Sequence, residues 1–182
     1  MSVNLPNVIT IFRILLVPFT IWLMIAHEFG LAFVAFLVAG ISDGVDGYIA
    51  RRYGLQTDLG AHLDPLADKV LLVSIFIVLG MLNLIPVWLA ILVVTRDILI
   101  VGAVVLSWVM GKPMAMQPLF VSKANTTMQI VFAGVVLAML GTKLNLESVM
   151  TSGIAAVAFL TVASGAMYMR NWMRHMAGKE KV

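Results

Sequence analysis

At 182 residues, 62% of them hydrophobic and only 12% charged, with a mean hydropathy of +1.04, the chain is far more apolar than water-soluble domains, which sit at roughly 45–50%. A bilayer is the solvent this composition suits. The absence of cysteine excludes a disulfide framework, a thiolate metal site and a cysteine nucleophile, and the net charge of +3 reads as attraction to an anionic leaflet or as a solvated tail, with no patch of basic and aromatic residues of the kind that binds nucleic acid.

The first apolar run, 6–27, follows an uncharged MSVNL and contains Pro6 and Pro18. It is too long for a signal-peptide core and lacks a small-residue cleavage site, so it is expected to be retained as a first span. Pro6 suits a helix start, with Asn4 or Leu5 near the cap. Further runs at 30–50, 64–82, 85–110, 120–141 and 147–170 each approach the ~20 residues needed to cross ~30 Å of hydrocarbon. No linker, low-complexity tract or repeat interrupts them. The expectation is an all-α integral membrane bundle of six transmembrane helices, a single domain over 1–182.

With the N-terminus in the cytosol, Arg51, Arg52, Lys112, Lys123, Arg170, Arg174, Lys179 and Lys181 fall at cytoplasmic ends or loops and Lys143 falls outside, the asymmetry expected of cytoplasmic loops. Both termini are then cytoplasmic. The two longest polar interruptions, 51–63 and 111–119, lie on the same side, and the chemistry is expected there.

Five of the nine acidic residues fall within 43–68, DGVDGYIARRYGLQTDLGAHLDPLAD. Asp43 and Asp46 are spaced i, i+3 at the end of the second run, and Asp64 and Asp68 are spaced i, i+4 at the start of the third, so each pair shares one helix face. A turn of about a dozen residues makes the two helices natural antiparallel neighbours, bringing all four carboxylates to one polar cavity at the cytoplasmic side. So many close carboxylates repel, and one ionised side chain at membrane depth costs ~3 kcal/mol. Hard divalent cations, Mg²⁺ or Mn²⁺, neutralise such a site and share their coordination with phosphates, and two such ions can clamp a diphosphate.

Gly44 and Gly47 clear side chains from the same surface, or serve helix packing as part of a small-xxx-small face with Gly40. Arg51 stands where a guanidinium could hold a phosphate or snorkel to the interface. Asp58 matches neither pair and reads as a solvated loop acid. Arg51, Arg52 and Lys69 cannot all be aimed into one cavity, so buried ion pairing alone does not account for the cluster. A cation transporter and a membrane prenyltransferase are the rival readings from other classes.

Written out, the stretch is D-x2-D-G-x2-A-R-x8-G-x3-D-x3-D, filled by Asp43, Asp46, Gly47, Ala50, Arg51, Gly60, Asp64 and Asp68. It resembles the signature of the CDP-alcohol phosphotransferase family, and the resemblance extends to LPNVITIFRILLVP, DPLADKVLL, LIPVW, TRDILI and FVSKANTTMQ, over about residues 5–130. The resemblance implies six transmembrane helices, a homodimer, and displacement of CMP from CDP-diacylglycerol by an alcohol hydroxyl, in a bacterial inner membrane. It further implies that Asp43, Asp46 and Asp64 ligate the metals. Asp68 completes the second metal's shell and acts as general base, Gly47 and Arg51 contact the cytidine diphosphate, and Thr57 contacts the diphosphate.

Two acceptors compete: glycerol 3-phosphate, giving phosphatidylglycerophosphate, and phosphatidylglycerol, giving cardiolipin. Arg96, deep in the fourth run, and Lys123, opening the fifth, are expected to see the acceptor; the alternatives are an Arg96–Asp97 structural pair and interfacial anchoring by Lys123. Where the glycerophosphate enzymes resemble G-K-x-K-T-x-x-Q, this chain reads SKANTTMQ, with Asn125 in place of a second lysine. Asp97 likewise replaces a glutamate common in those enzymes. A phosphomonoester carries between about −1.5 and −2 charges and a phosphodiester about −1, so one cation fewer favours phosphatidylglycerol. His62 is expected to meet headgroups or water, His27 with Glu28 to sit in an outer turn, and Trp22, Trp88, Trp108 and Trp172 to form an aromatic belt. RNWMRHMAGKEKV reads as a solvated tail in preference to a short basic helix docked on anionic lipid.

Overall fold

In hydrocarbon every backbone N–H and C=O must find its partner within the chain, which leaves helices as the economical way to fold these apolar runs. A computed structural model describes the backbone of residues 5–53, 58–111, 120–144 and 147–177, and the side chains within these except at 5–11, 13, 14, 43–53 and 58–68. Among the described residues six helices form: α1 Leu5–Ile25, α2 Phe29–Tyr53, α3 Asp58–Met81, α4 Val87–Val109, α5 Phe120–Thr142 and α6 Glu147–Met176.

Helix number and order follow the apolar runs, but three ends move. α2 runs on to Tyr53 and α3 begins at Asp58, so the expected turn of a dozen residues shrinks to 54–57. Asp58 is therefore the first residue of a helix rather than a loop acid. Hydropathy marks where lipid ends, and a helix can continue past that point. Asp64-Pro65 also mimics a helix start, because proline is favoured in a first turn. At the other end of the chain α6 continues to Met176, so RNWMRHM is helix, not tail. The Trp172 indole donates to the Ala103 carbonyl (3.0 Å) and the Ser107 hydroxyl (2.8 Å), docking α6 on α4 instead of joining a belt.

The three short turns share one device. At His27, Asn83 and Lys143 the backbone enters the left-handed region, with φ of 60°, 57° and 56°. In each, the next residue's N–H returns to the carbonyl four places before the left-handed residue: Glu28 to Leu23 (2.9 Å), Leu84 to Leu79 (2.9 Å) and Leu144 to Met139 (3.1 Å). This is the Schellman closure, which satisfies carbonyls a helix end leaves open.

The helices pack as a ring, α1 on α2, α2 on α5, α5 on α6, α6 on α4, α4 on α3 and α3 back on α1, with α3 also touching α5 across the middle. Phe76 and Phe132 make that central contact at 6.2 Å between ring centroids. Met24, Ile75, Leu79, Leu89, Val93, Val136, Leu137 and Val157 surround it fully buried. α2 meets α5 backbone to backbone: a Cβ on Gly141 would come within 2.7 Å of the Gly30 Cα.

Among the described residues α2 and α3 are thus not the close neighbours their connection predicts. They face each other across an apolar gap of about 310 Å³ lined by Phe36, Ala39, Gly40, Ile41, Leu71 and Leu72, with Ile130 of α5 beside them. A Cβ on Gly40 would meet nothing within 4 Å, so the space beside this glycine is part of the gap.

Every helix also turns large apolar side chains outward, among them Leu15 and Trp22 on α1, Leu31 and Val34 on α2, Met81 on α3, Ile98 and Trp108 on α4, Val131 on α5 and Phe159 on α6. Apolar exposure on this scale marks a lipid-facing surface. α4, α5 and α6 are long and apolar enough to cross a membrane, whereas the apolar described segments of the other three, Leu15–Ile25, Phe29–Ser42 and Lys69–Met81, are shorter. The chain is a membrane protein of six helices; three of these, not the expected six, meet the criteria for a full span among the described residues.

Candidate functional site

On α2 the buried positions Ala32, Ala35, Phe36 and Ala39 recur at the three- and four-residue spacing of one helix face, and the same register continues through positions 43 and 46. On α3 the buried Leu71, Leu72, Ile75 and Leu79 lead back by seven-residue steps to 64, 65 and 68. Positions 43, 46, 64 and 68 thus lie on described helical backbone continuous with α2 and α3. The side chains of Asp43, Asp46, Gly47, Arg51, His62, Asp64 and Asp68, and the whole of Thr57, lie outside the described residues. Among the described residues no three His, Asp or Glu side chains gather in a metal-binding group.

The described half of the site is a polar seam between α4, α5 and α6. The buried stripe of α4 runs Leu89, Val93, Arg96, Ile100, Ala103, Ser107, so helical periodicity forces Arg96 inward, where it is 4% exposed. Its Nη1 donates to Asp97 Oδ1 at 2.5 Å. Its Nη2 donates to Ser122 Oγ of α5 and Ser164 Oγ of α6, each at 2.6 Å. Asp97 also pairs with Lys69 of α3 at 3.6 Å, the lysine remaining 42% exposed and the aspartate 13%. Lys69, one residue beyond Asp68, is thereby committed to α4. Two cations share one carboxylate, so this cluster carries a net charge of +1 among the described residues.

The seam continues along α5 and α6. The Thr161 hydroxyl donates to Asn125 Oδ1 at 3.0 Å and accepts from Gln129 Nε2 at 3.3 Å, with all three residues buried. Three buried polar atoms have no partner among the described residues: Arg96 Nε, Asn125 Nδ2 and the Tyr168 hydroxyl. Each sits on the inward stripe of a different helix of this seam. Buried polar groups are almost always satisfied, and one left open costs about 1–3 kcal/mol, so each of these three atoms calls for a partner beyond the described residues.

Of the two cations expected to see the acceptor, the structure buries Arg96 in this seam and leaves Lys123 exposed, off the Asn125–Gln129 stripe. Lys69, Ser122 and Gln129 were given no place in the site by the sequence reading, and Thr161, Ser164 and Tyr168 escaped it. Their signal was a stripe of small hydroxyl residues at three- and four-residue spacing on α6, Thr161 and Ser164 between Val157 and Tyr168, in a span facing a lone arginine.

A family model described as CDP-alcohol phosphatidyltransferase matches residues 3–170, reaching beyond the motif into α6. A Mycobacterium tuberculosis protein named probable phosphatidylglycerophosphate synthase is 33% identical over 183 residues, covering 96% of this chain and 84% of the relative. Human cardiolipin synthase (CMP-forming) is 33% identical over 151 residues, covering 74% of this chain and 50% of its own length. A rice chloroplast CDP-diacylglycerol–glycerol-3-phosphate 3-phosphatidyltransferase is 34% identical over 151 residues, 74% of this chain and 46% of the relative.

Proposed function

We propose that this chain, which belongs to the CDP-alcohol phosphatidyltransferase family, is a cardiolipin-forming member: it moves the phosphatidyl group of CDP-diacylglycerol to a hydroxyl of phosphatidylglycerol and releases CMP. The acceptor oxygen attacks the lipid-side phosphorus, the bond to CMP breaks, and the hydroxyl proton passes to Asp68. CMP leaves as a phosphate and needs little protonation, so one base for the nucleophile suffices.

Asp43, Asp46, Asp64 and Asp68 form an all-carboxylate donor set, which fits Mg²⁺ or Mn²⁺ and not softer metals. Such ions, when bound, offset the diphosphate's charge. Gly47 would let the cytidine diphosphate approach the α2 backbone, while Arg51 and Thr57 would contact its phosphates. The apolar gap between α2 and α3, ending at the aspartate-bearing turns, suits an acyl chain of the donor. Six membrane crossings, both termini in the cytosol of a bacterial inner membrane, and a homodimer complete the reading.

The observation that carries the acceptor is the charge of the seam. Arg96, Lys69 and Asp97 sum to +1, and Asn125 keeps the next inward position on α5 neutral; this matches a phosphodiester better than a phosphomonoester. Lys123, exposed and off the inward stripe, adds no charge to the seam and in this reading meets the acceptor only at the interface. Glycerol 3-phosphate is the second reading, favoured by the names of the M. tuberculosis and rice relatives. The test is an assay of purified protein with CDP-diacylglycerol and each acceptor in turn. Cardiolipin formation from phosphatidylglycerol is expected; turnover with glycerol 3-phosphate alone overturns the assignment.

A further inference from the structure

Arg96 is held more firmly than its charge requires. One carboxylate, Asp97, offsets the guanidinium, yet two hydroxyls from two other helices also grip it. Ser122 lies 26 residues away on α5 and Ser164 lies 68 residues away on α6, both accepting from Nη2. A terminal guanidinium nitrogen carries two hydrogens, so these contacts use both. With Nη1 on Asp97, three anchors fix the plane of the group, and its buried Nε–H has no partner among the described residues. A planar donor array fixed beforehand loses less entropy when its ligand arrives.

We propose that Ser122 and Ser164 are positioning residues for acceptor recognition: they clamp Nη2 so that the Arg96 Nε–H faces the anionic phosphodiester of the acceptor. The inference rests on Arg96 being an acceptor contact, as proposed above. It draws α6 into substrate selection, a role no residue of that helix had in the sequence reading.

The test measures KM for phosphatidylglycerol, KM for CDP-diacylglycerol and kcat on the purified full chain, for Ser122→Ala, Ser164→Ala, the double variant, Ser164→Thr and Arg96→Gln. Removing a hydrogen bond to a charged group should raise the acceptor KM roughly tenfold or more in the double variant, with the donor KM and kcat within about twofold. Ser164→Thr keeps the hydroxyl and should stay nearer wild type than Ser164→Ala. A packing role predicts the reverse order, because alanine fits a full site and threonine crowds it, and that order overturns the clamp. The half-buried Ser122→Ala supplies the same reading should a change at Ser164 impair folding. If Arg96→Gln raises the acceptor KM while both serine variants leave it unchanged, the clamp is wrong and the role of Arg96 survives. If Arg96→Gln leaves the acceptor KM unchanged, the role of Arg96 fails and the clamp fails with it.

Discussion

Along α5 the inward stripe changes character within two turns. Phe132, Ala133, Val136 and Leu137 are buried against α2, α3 and α6, and a Cβ placed on Gly153 would strike the Phe132 ring at 2.5 Å. Ser122, Asn125 and Gln129, nearer the N-terminus of the same helix, face hydroxyls and a guanidinium instead, and it is on this side that polar atoms lack partners. The apolar half of α5 is buried against its neighbours, whereas the polar half mixes satisfied hydrogen bonds with donors left open. The first contributes packing, and the second holds a buried charge in place while leaving donors open.

The largest expected effect is that of Asp68→Asn on α3, which tests catalysis apart from either half. Loss of a general base should lower transfer by about 10²–10⁴-fold with helical content and melting temperature unchanged; near-normal turnover removes Asp68 from that role. Asp97→Ala probes the polar half's internal charge balance. It strips the carboxylate from a buried arginine, and breaking such a pair costs about 3–5 kcal/mol, which a thermal unfolding scan in detergent will register as a lower melting temperature. Were the melting temperature to hold, the serines alone would suffice to stabilise Arg96. Gly141→Ala acts on the apolar half. Its methyl meets the Gly30 backbone at 2.7 Å, so α2 and α5 must part, at an overpacking cost of about 1–3 kcal/mol. The expected result is a modest fall in melting temperature with KM for both substrates preserved; a selective rise in the acceptor KM would show that the halves are not separable.

The same division explains what could be read from the chain beforehand. Helix number and order followed from apolar runs, because hydrocarbon leaves a membrane chain few alternatives. Helix ends were less legible: α3 starts at Asp58 and α6 reaches Met176, since hydropathy reports lipid contact and not backbone pairing. The aspartates and Arg96 stood out as charges within apolar segments, where each demands a reason. Ser122, Thr161 and Ser164 did not, because small hydroxyl residues in such helices serve packing as often as bonding. Their partners lie 26 to 68 residues away, and only the ring order of the helices brings them together. That order also accounts for the gap between α2 and α3, which a short connection alone does not reveal.

The central claim is that the aspartate turns of α2 and α3 cooperate across that gap in one divalent-ion site. Mn²⁺ titration followed by electron paramagnetic resonance, on the purified protein with CDP-diacylglycerol present, tests it most directly. Saturable Mn²⁺ binding is expected in the wild type and should be weakened at least roughly tenfold both by Asp43→Asn on one helix and by Asp64→Asn on the other. Mn²⁺ binding that survives unchanged in either variant would contradict a shared site.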